Sequence, residues 1–215
     1  MPNYAHYTFE GGGIAIWHIT ETSDELYAQL ATHKYDAQLQ EKRNESRRSE
    51  WLAVRLLVKE LLGEDCEVAY YSTGRPYLKG SDMHISISHT KGYAAIAYHH
   101  VLPIGMDIEY VSPRVERVAS RFTTQEEAAY IDVHHEHDRQ LYHLINWSAK
   151  ETLYKLFDSP SLSEFKEVFC LSPYALEECG ALYARVNDIE ESVVVSYRAL
   201  PDFVCTWAIK TNVKL

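Results

Sequence analysis

At 215 residues the chain is long enough for one large domain or two small ones, and 46% hydrophobic content with 16 Tyr and 4 Trp excludes a disordered polymer. A net charge of −10 gives no positive field for nonspecific nucleic-acid binding. No apolar run approaches about 18 residues, so no membrane span is predicted.

In chain order, residues 14–19 read as a first strand. Helical patterns follow over 23–31, with Ser23 as N-cap, and over 37–62, stopped by Gly63. The second pattern sets apolar and basic stripes side by side and carries the cluster Lys42, Arg43, Arg47 and Arg48. Strands fit 66–71, 84–88 and 93–99, and Ser88-His89-Thr90 reads as part of a turn. The segment 99–103 joins the halves and is too short for a flexible linker. A strand at 104–110 follows, then helices near 115–121, 124–133 and 138–157, and strands near 167–171, 181–186, 192–199 and 203–210. The halves share this order without a sequence repeat at fixed period.

Within 104–110, apolar Ile104, Met106 and Ile108 alternate with Gly105, Asp107 and Glu109. Asp107 and Glu109 therefore project from one face, beside a glycine expected to leave room for a ligand. In the helix at 138–157, Trp147, Glu151 and Lys155 are spaced by four, on a different face from the apolar stripe Leu141, Ile145, Ala149, Thr152 and Leu156. The ordinary alternative is a surface Glu–Lys bridge. Three carboxylates that can converge beside lysines suit Mg²⁺ holding a pyrophosphate. The segment His134 to Asp138 lacks zinc-ligand spacing and reads as a surface loop. Cys66, Cys170, Cys179 and Cys205 show no C-x-x-C spacing and read as reduced thiols. The N-terminus shows no signal-peptide pattern, so a cytoplasmic protein is expected.

The strand Ile104-Gly105-Met106-Asp107-Ile108-Glu109 and the helix Trp147-Ser148-Ala149-Lys150-Glu151 through Lys155 resemble the two signatures of the Sfp-type 4′-phosphopantetheinyl transferases. Gly74-Arg75-Pro76 and Ser86-Ile87-Ser88-His89-Thr90 are similar to two upstream elements of that family. The four stand in the family's order, covering roughly residues 40–160. The resemblance implies an α+β fold of two similar α/β halves, 1–102 and 103–215, forming an intramolecular pseudo-dimer that works as one unit. It implies transfer of 4′-phosphopantetheine from coenzyme A to a serine of an apo acyl or peptidyl carrier protein, with release of 3′,5′-ADP.

The same resemblance implies that Asp107, Glu109 and Glu151 hold Mg²⁺, with Mn²⁺ as a substitute. Glu151 is the general base, and Lys155 and Lys150 stabilise the leaving phosphate. Arg48, Arg43, Gly74, Arg75, Pro76, Ser88, His89 and Lys155 contact coenzyme A, the basic cluster meeting its 3′-phosphate. Arg114, Arg117 and Arg121, at helical spacing, would dock the acidic carrier. A monomer is expected, with no nucleic-acid or membrane partner. The competing readings are another Mg²⁺-dependent pyrophosphate hydrolase and a non-catalytic homologue that binds only coenzyme A or the carrier.

Overall fold

The computed structural model describes residues 4–63, 66–134, 137–158, 168–187 and 191–211. The chain divides into two units, Met1–Val101 and Leu102–Leu215.

The first unit opens with β1 (Tyr4–Phe9) and β2 (Gly12–His18), an antiparallel hairpin. Strand β1 is not expected from the sequence, because its Tyr-Ala-His-Tyr-Thr-Phe run gives only a weak alternation. Helix α1 (Ser23–Leu30) is capped by Thr22 in a reciprocal box with Glu25, one residue earlier than expected. Ser23 is instead bound to Glu45: its backbone N–H donates at 2.7 Å and its hydroxyl at 2.9 Å. The single helix expected over 37–62 is two, α2 (Asp36–Gln40) and α3 (Glu45–Leu62). The break falls where the Asn44 side chain accepts from the Arg47 N–H and caps α3.

Short strands β3 (Val68–Tyr70) and β4 (Pro76–Leu78) form a separate hairpin. Strands β5 (His84–Thr90) and β6 (Tyr93–His99) complete a four-stranded antiparallel sheet of order β1-β2-β6-β5. Helix α3 packs on β2 and β6. Buried Trp17, Leu52, Leu56 and Ile96 belong to that core.

The second unit begins with β7 (Ile104–Tyr110). Helix α4 (Arg114–Val118) ends in a 3₁₀ turn at Ala119–Arg121 rather than continuing to 121 as α-helix. Helix α5 (Gln125–His134) starts at a Thr124–Glu127 capping box, and α6 (Arg139–Phe157) comes next. Strands β8 (Phe169–Leu171), β9 (Cys179–Val186), β10 (Glu191–Ala199) and β11 (Phe203–Ile209) make a five-stranded antiparallel sheet with β7, in the order β7-β11-β10-β9-β8. Phe122, Ile145, Ala149, Leu153, Val195 and Tyr197 fill the core on the α6 side.

The two units share an order of elements. After β1, the first runs strand, three helices and two strand pairs, as the second does, and its sheet order β2-β6-β5 matches β7-β11-β10, although β3 and β4 form their own sheet while β9 and β8 extend the larger one. The four cysteines are free thiols. Among the described residues no helix is long and apolar enough to cross a membrane.

Gly105 sets the distance between β7 and α6. A Cβ there would stand 2.4 Å from the Thr152 carbonyl oxygen and 2.9 Å from Leu156, so α6 occupies the space a side chain would need. The expected room for a ligand at Gly105 is thus taken by the helix. Gly105→Ala should push α6 off β7 and destabilise the protein by about 2 kcal/mol, within the usual range for overpacking. Urea unfolding measures this; a loss below about 0.5 kcal/mol would mean that α6 retreats freely.

Candidate active site

Side chains of the second unit come together through α6 and β7. Asp107 and Glu109 stand on the β7 face that Gly105 brings against α6, and Ile104, Met106 and Ile108 are buried on the other face. The Lys155 ammonium donates to Asp107 Oδ1 at 2.8 Å, with Asp107 only 4% exposed. Trp147 Nε1–H donates to Glu109 Oε1 at 2.7 Å, and its ring packs on Phe122 with centroids 5.2 Å apart. Sequence reasoning gives Trp147 no role of its own; its four-residue spacing from Glu151 is the available signal.

Electrostatics set these carboxylates apart. Burial pushes Glu109 up to about 7, and Asp107 and Glu151 add to the rise while the Trp147 hydrogen bond and Lys155 oppose it. Burial, then the Asp107 charge, pushes Glu151 up to about 7 against Lys155. The cause in both is partial removal from water beside like charge. Such a site gains from added positive charge, and its donors are the hard oxygens Mg²⁺ takes. Among the described residues no three His, Cys, Asp or Glu side chains stand close enough, as placed, to share one ion. Mg²⁺ needs only one or two protein carboxylates beside waters and phosphate oxygens, so Asp107, Glu109 and Glu151 fit it by chemistry.

Lys150 lies elsewhere. Its ammonium is fully buried and donates to Glu127 Oε2 at 2.8 Å and the Phe122 carbonyl at 2.7 Å. Glu127 also accepts from the Leu171 and Thr124 N–H groups, so the pair ties α6 to α5 and β8. Lys150, expected beside the leaving phosphate, is a structural ion pair, because its enclosed ammonium is already committed to Glu127 and Phe122. Ser148 is also structural: its hydroxyl lies 2.9 Å from Thr206 Oγ1, which lies 2.7 Å from Thr152 Oγ1. Neither Glu127 nor Thr206 stands out in the sequence, their partners being 23 and 58 residues away.

In the first unit, Arg47, Glu50 and His89 form one network. Arg47 Nη1 lies 3.3 Å from Glu50 Oε2, and His89 Nδ1 lies 3.1 Å from the same oxygen. Ser88, His89 and Thr90 are the end of β5, not a turn; Lys91-Gly92 make the turn, with Gly92 at φ 78°. Arg48 is half-buried on α3, and Arg43 is exposed in the link before it. Gly74-Arg75-Pro76 close the β3–β4 hairpin, with Gly74 at φ 89°. Burial, and then the Arg75 charge, lowers the His84 value at the start of β5. His84 and His89 are five residues apart on one strand, about 17 Å. Arg114, Arg117 and Arg121 are all exposed, the third on the 3₁₀ turn.

The raised carboxyls predict a pH dependence of stability. Below about 4.5 both are protonated in the folded and unfolded chain. Between about 4.5 and 7 the unfolded chain releases protons that the folded site retains, so stability falls as pH rises. In metal-free buffer the Tm should decline from pH 5 to 7.5, and Glu109→Gln with Glu151→Gln should flatten that decline. Mg²⁺ at pH 7.5 should raise the Tm of the parent chain more than that of the double variant. Equal pH slopes in the two proteins would refute the assignment.

Two comparisons bear on this site. The sequence model of the 4′-phosphopantetheinyl transferase superfamily matches residues 103–208, from β7 through β11. A 4′-phosphopantetheinyl transferase of Bacillus subtilis is 38% identical over 87 residues, covering 38% of this chain and 37% of the relative. The match thus spans little more than a third of that relative's length. The unit that carries Asp107, Glu109, Glu151 and Lys155 is thus the part of the chain that is similar to the 4′-phosphopantetheinyl transferase superfamily.

Proposed function

We propose that the chain is a transferase that moves 4′-phosphopantetheine from coenzyme A to a serine hydroxyl of an apo acyl or peptidyl carrier protein. The observation that carries this reading is Glu151, half-buried and pushed up to about 7, one helical turn from a lysine that holds Asp107. A carboxylate with that value is matched to proton removal at neutral pH. The serine Oγ forms a bond to the β-phosphorus as the bond to the α-phosphate oxygen breaks. Glu151 takes the hydroxyl proton, directly or through a water, and 3′,5′-ADP leaves. Lys155, steered by Asp107, places positive charge on the departing oxygens. Asp107, Glu109 and Glu151 would hold Mg²⁺, or Mn²⁺, whose charge when bound neutralises the pyrophosphate.

The shared order of elements in the two units supports an intramolecular pseudo-dimer, so that one chain suffices as a monomer. In this proposal Arg43, Arg48, Arg75, Ser88 and His89 contact the coenzyme's phosphates. Free thiols agree with a cytoplasmic setting.

Mass spectrometry of apo carrier proteins incubated with the chain, coenzyme A and Mg²⁺ should show addition of the phosphopantetheine arm. Glu151→Gln should lower turnover by about 100-fold or more while coenzyme A binding survives. Coenzyme A cleavage without a carrier would favour a hydrolase, and binding without any transfer would favour a non-catalytic homologue.

Exposed Arg114, Arg117 and Arg121 would meet the acidic surface that flanks the carrier serine. Reversal of Arg117 and Arg121 to Glu should raise the KM for the carrier several-fold and leave coenzyme A affinity unchanged, since rim charges act mainly on encounter. A carrier KM insensitive to both the reversal and added salt would mean apolar docking.

A further inference from the structure

His99 ends β6, two residues before the first unit gives way to the second, and has no part in the reaction above. The residue is only 6% exposed, and its ring lies against the turn between β1 and β2. Gly11 makes room for it. That glycine sits at φ 75°, and a Cβ there would stand 2.8 Å from His99 Nε2. The same turn also fixes the next residue, since the His100 N–H donates to the Gly11 carbonyl at 2.8 Å.

The other edge of the ring holds the main chain. His99 Nδ1 accepts the Val101 N–H at 3.1 Å. On the turn side the ring hydrogen-bonds to the Glu10 backbone, so Nε2 carries the proton and Nδ1 keeps its lone pair. Val101 is 73% exposed, so packing of its side chain does little to hold it. It is the last residue of the first unit, and two residues on the Pro103 carbonyl accepts the Lys210 N–H at 2.9 Å.

We propose that His99 is an acid-released latch on the segment that joins the two units. Neutral, its Nδ1 holds the Val101 N–H; a proton taken up from solvent occupies that lone pair, sets N–H against N–H and frees the backbone. The surroundings keep the latch shut near neutrality. Burial, then His100 beside it and His84 opposite it on β5, holds His99 below the ordinary histidine range, against the Glu10 hydrogen bond. Burial and then Arg75 lower His84 in the same way, while the Val101 backbone and Asp82 oppose them. The unfolded chain therefore takes up a proton that folded His99 refuses, and the latch opens only below about pH 6.5. None of this depends on the coenzyme A reading.

Amide exchange and histidine ¹⁵N spectra of the full chain test the latch locally, because the carboxyls of the second unit also move the Tm. At pH 7.5 the spectra should show His99 protonated at Nε2 alone. Between pH 7 and 5, protection of the Val101 amide, corrected for intrinsic exchange, should fall about fivefold as His99 titrates. Ile96, at the centre of β6, should keep its protection. An asparagine side chain also reaches the N–H two residues on but does not titrate, so His99→Asn should retain protection at both pH values. Should that variant not fold, the parent spectra decide alone. A proton on Nδ1 at pH 7.5, protection of Val101 that ignores pH, or a loss shared equally by Ile96 would overturn the latch. So would a pH-dependent loss that survives in His99→Asn.

Discussion

The close approach of α6 to β7 at Gly105 is the constraint on which the candidate site depends. Asp107 and Glu109 share the glycine's strand face, while Trp147, Glu151 and Lys155 descend one helix side at four-residue intervals. Any side chain at 105 would separate strand from helix, and with it the Asp107–Lys155 and Glu109–Trp147 pairs. The contact also explains the chemistry. Bringing an acidic strand under a helix removes water from carboxylates that repel one another, which raises the values of Glu109 and Glu151.

Helix α6 divides its work by face. Ser148 and Thr152 bind it to β11 through Thr206, and Lys150 binds it to α5 and β8 through Glu127. Both anchors are buried and polar, which makes them directional in a way that apolar packing is not. Desolvation offsets most of the attraction within the buried Lys150–Glu127 pair. The remaining face is left to the groups with perturbed proton affinities.

Periodicity makes much of this legible in the sequence. The alternation in Ile104–Tyr110 and the i,i+4 row on Arg139–Phe157 identify both elements of the site. What periodicity does not carry is which neighbour each face meets. Gly105 reads as space because only tertiary structure shows a helix there. Lys150 reads as an active-site cation because nothing local distinguishes it from Lys155; its partner Glu127 lies 23 residues upstream. Strands β1 and β4 escape notice for a different reason. The first alternates residues of similar polarity, and the second is three residues long and begins with proline. The break before α3 is visible in Asn44, whose capping preference a continuous helical pattern conceals.

The double anchoring of α6 has an evolutionary consequence. A helix fixed on one side by a hydroxyl chain and on another by an enclosed ion pair has few positions where a substitution is neutral, because each change leaves a desolvated partner behind. Drift is therefore channelled away from α6, toward surfaces such as the exposed stretch of α4 and the 3₁₀ turn after it, where Arg114, Arg117 and Arg121 touch solvent. Descendants of this scaffold can change that surface while the packing of α6 stays fixed.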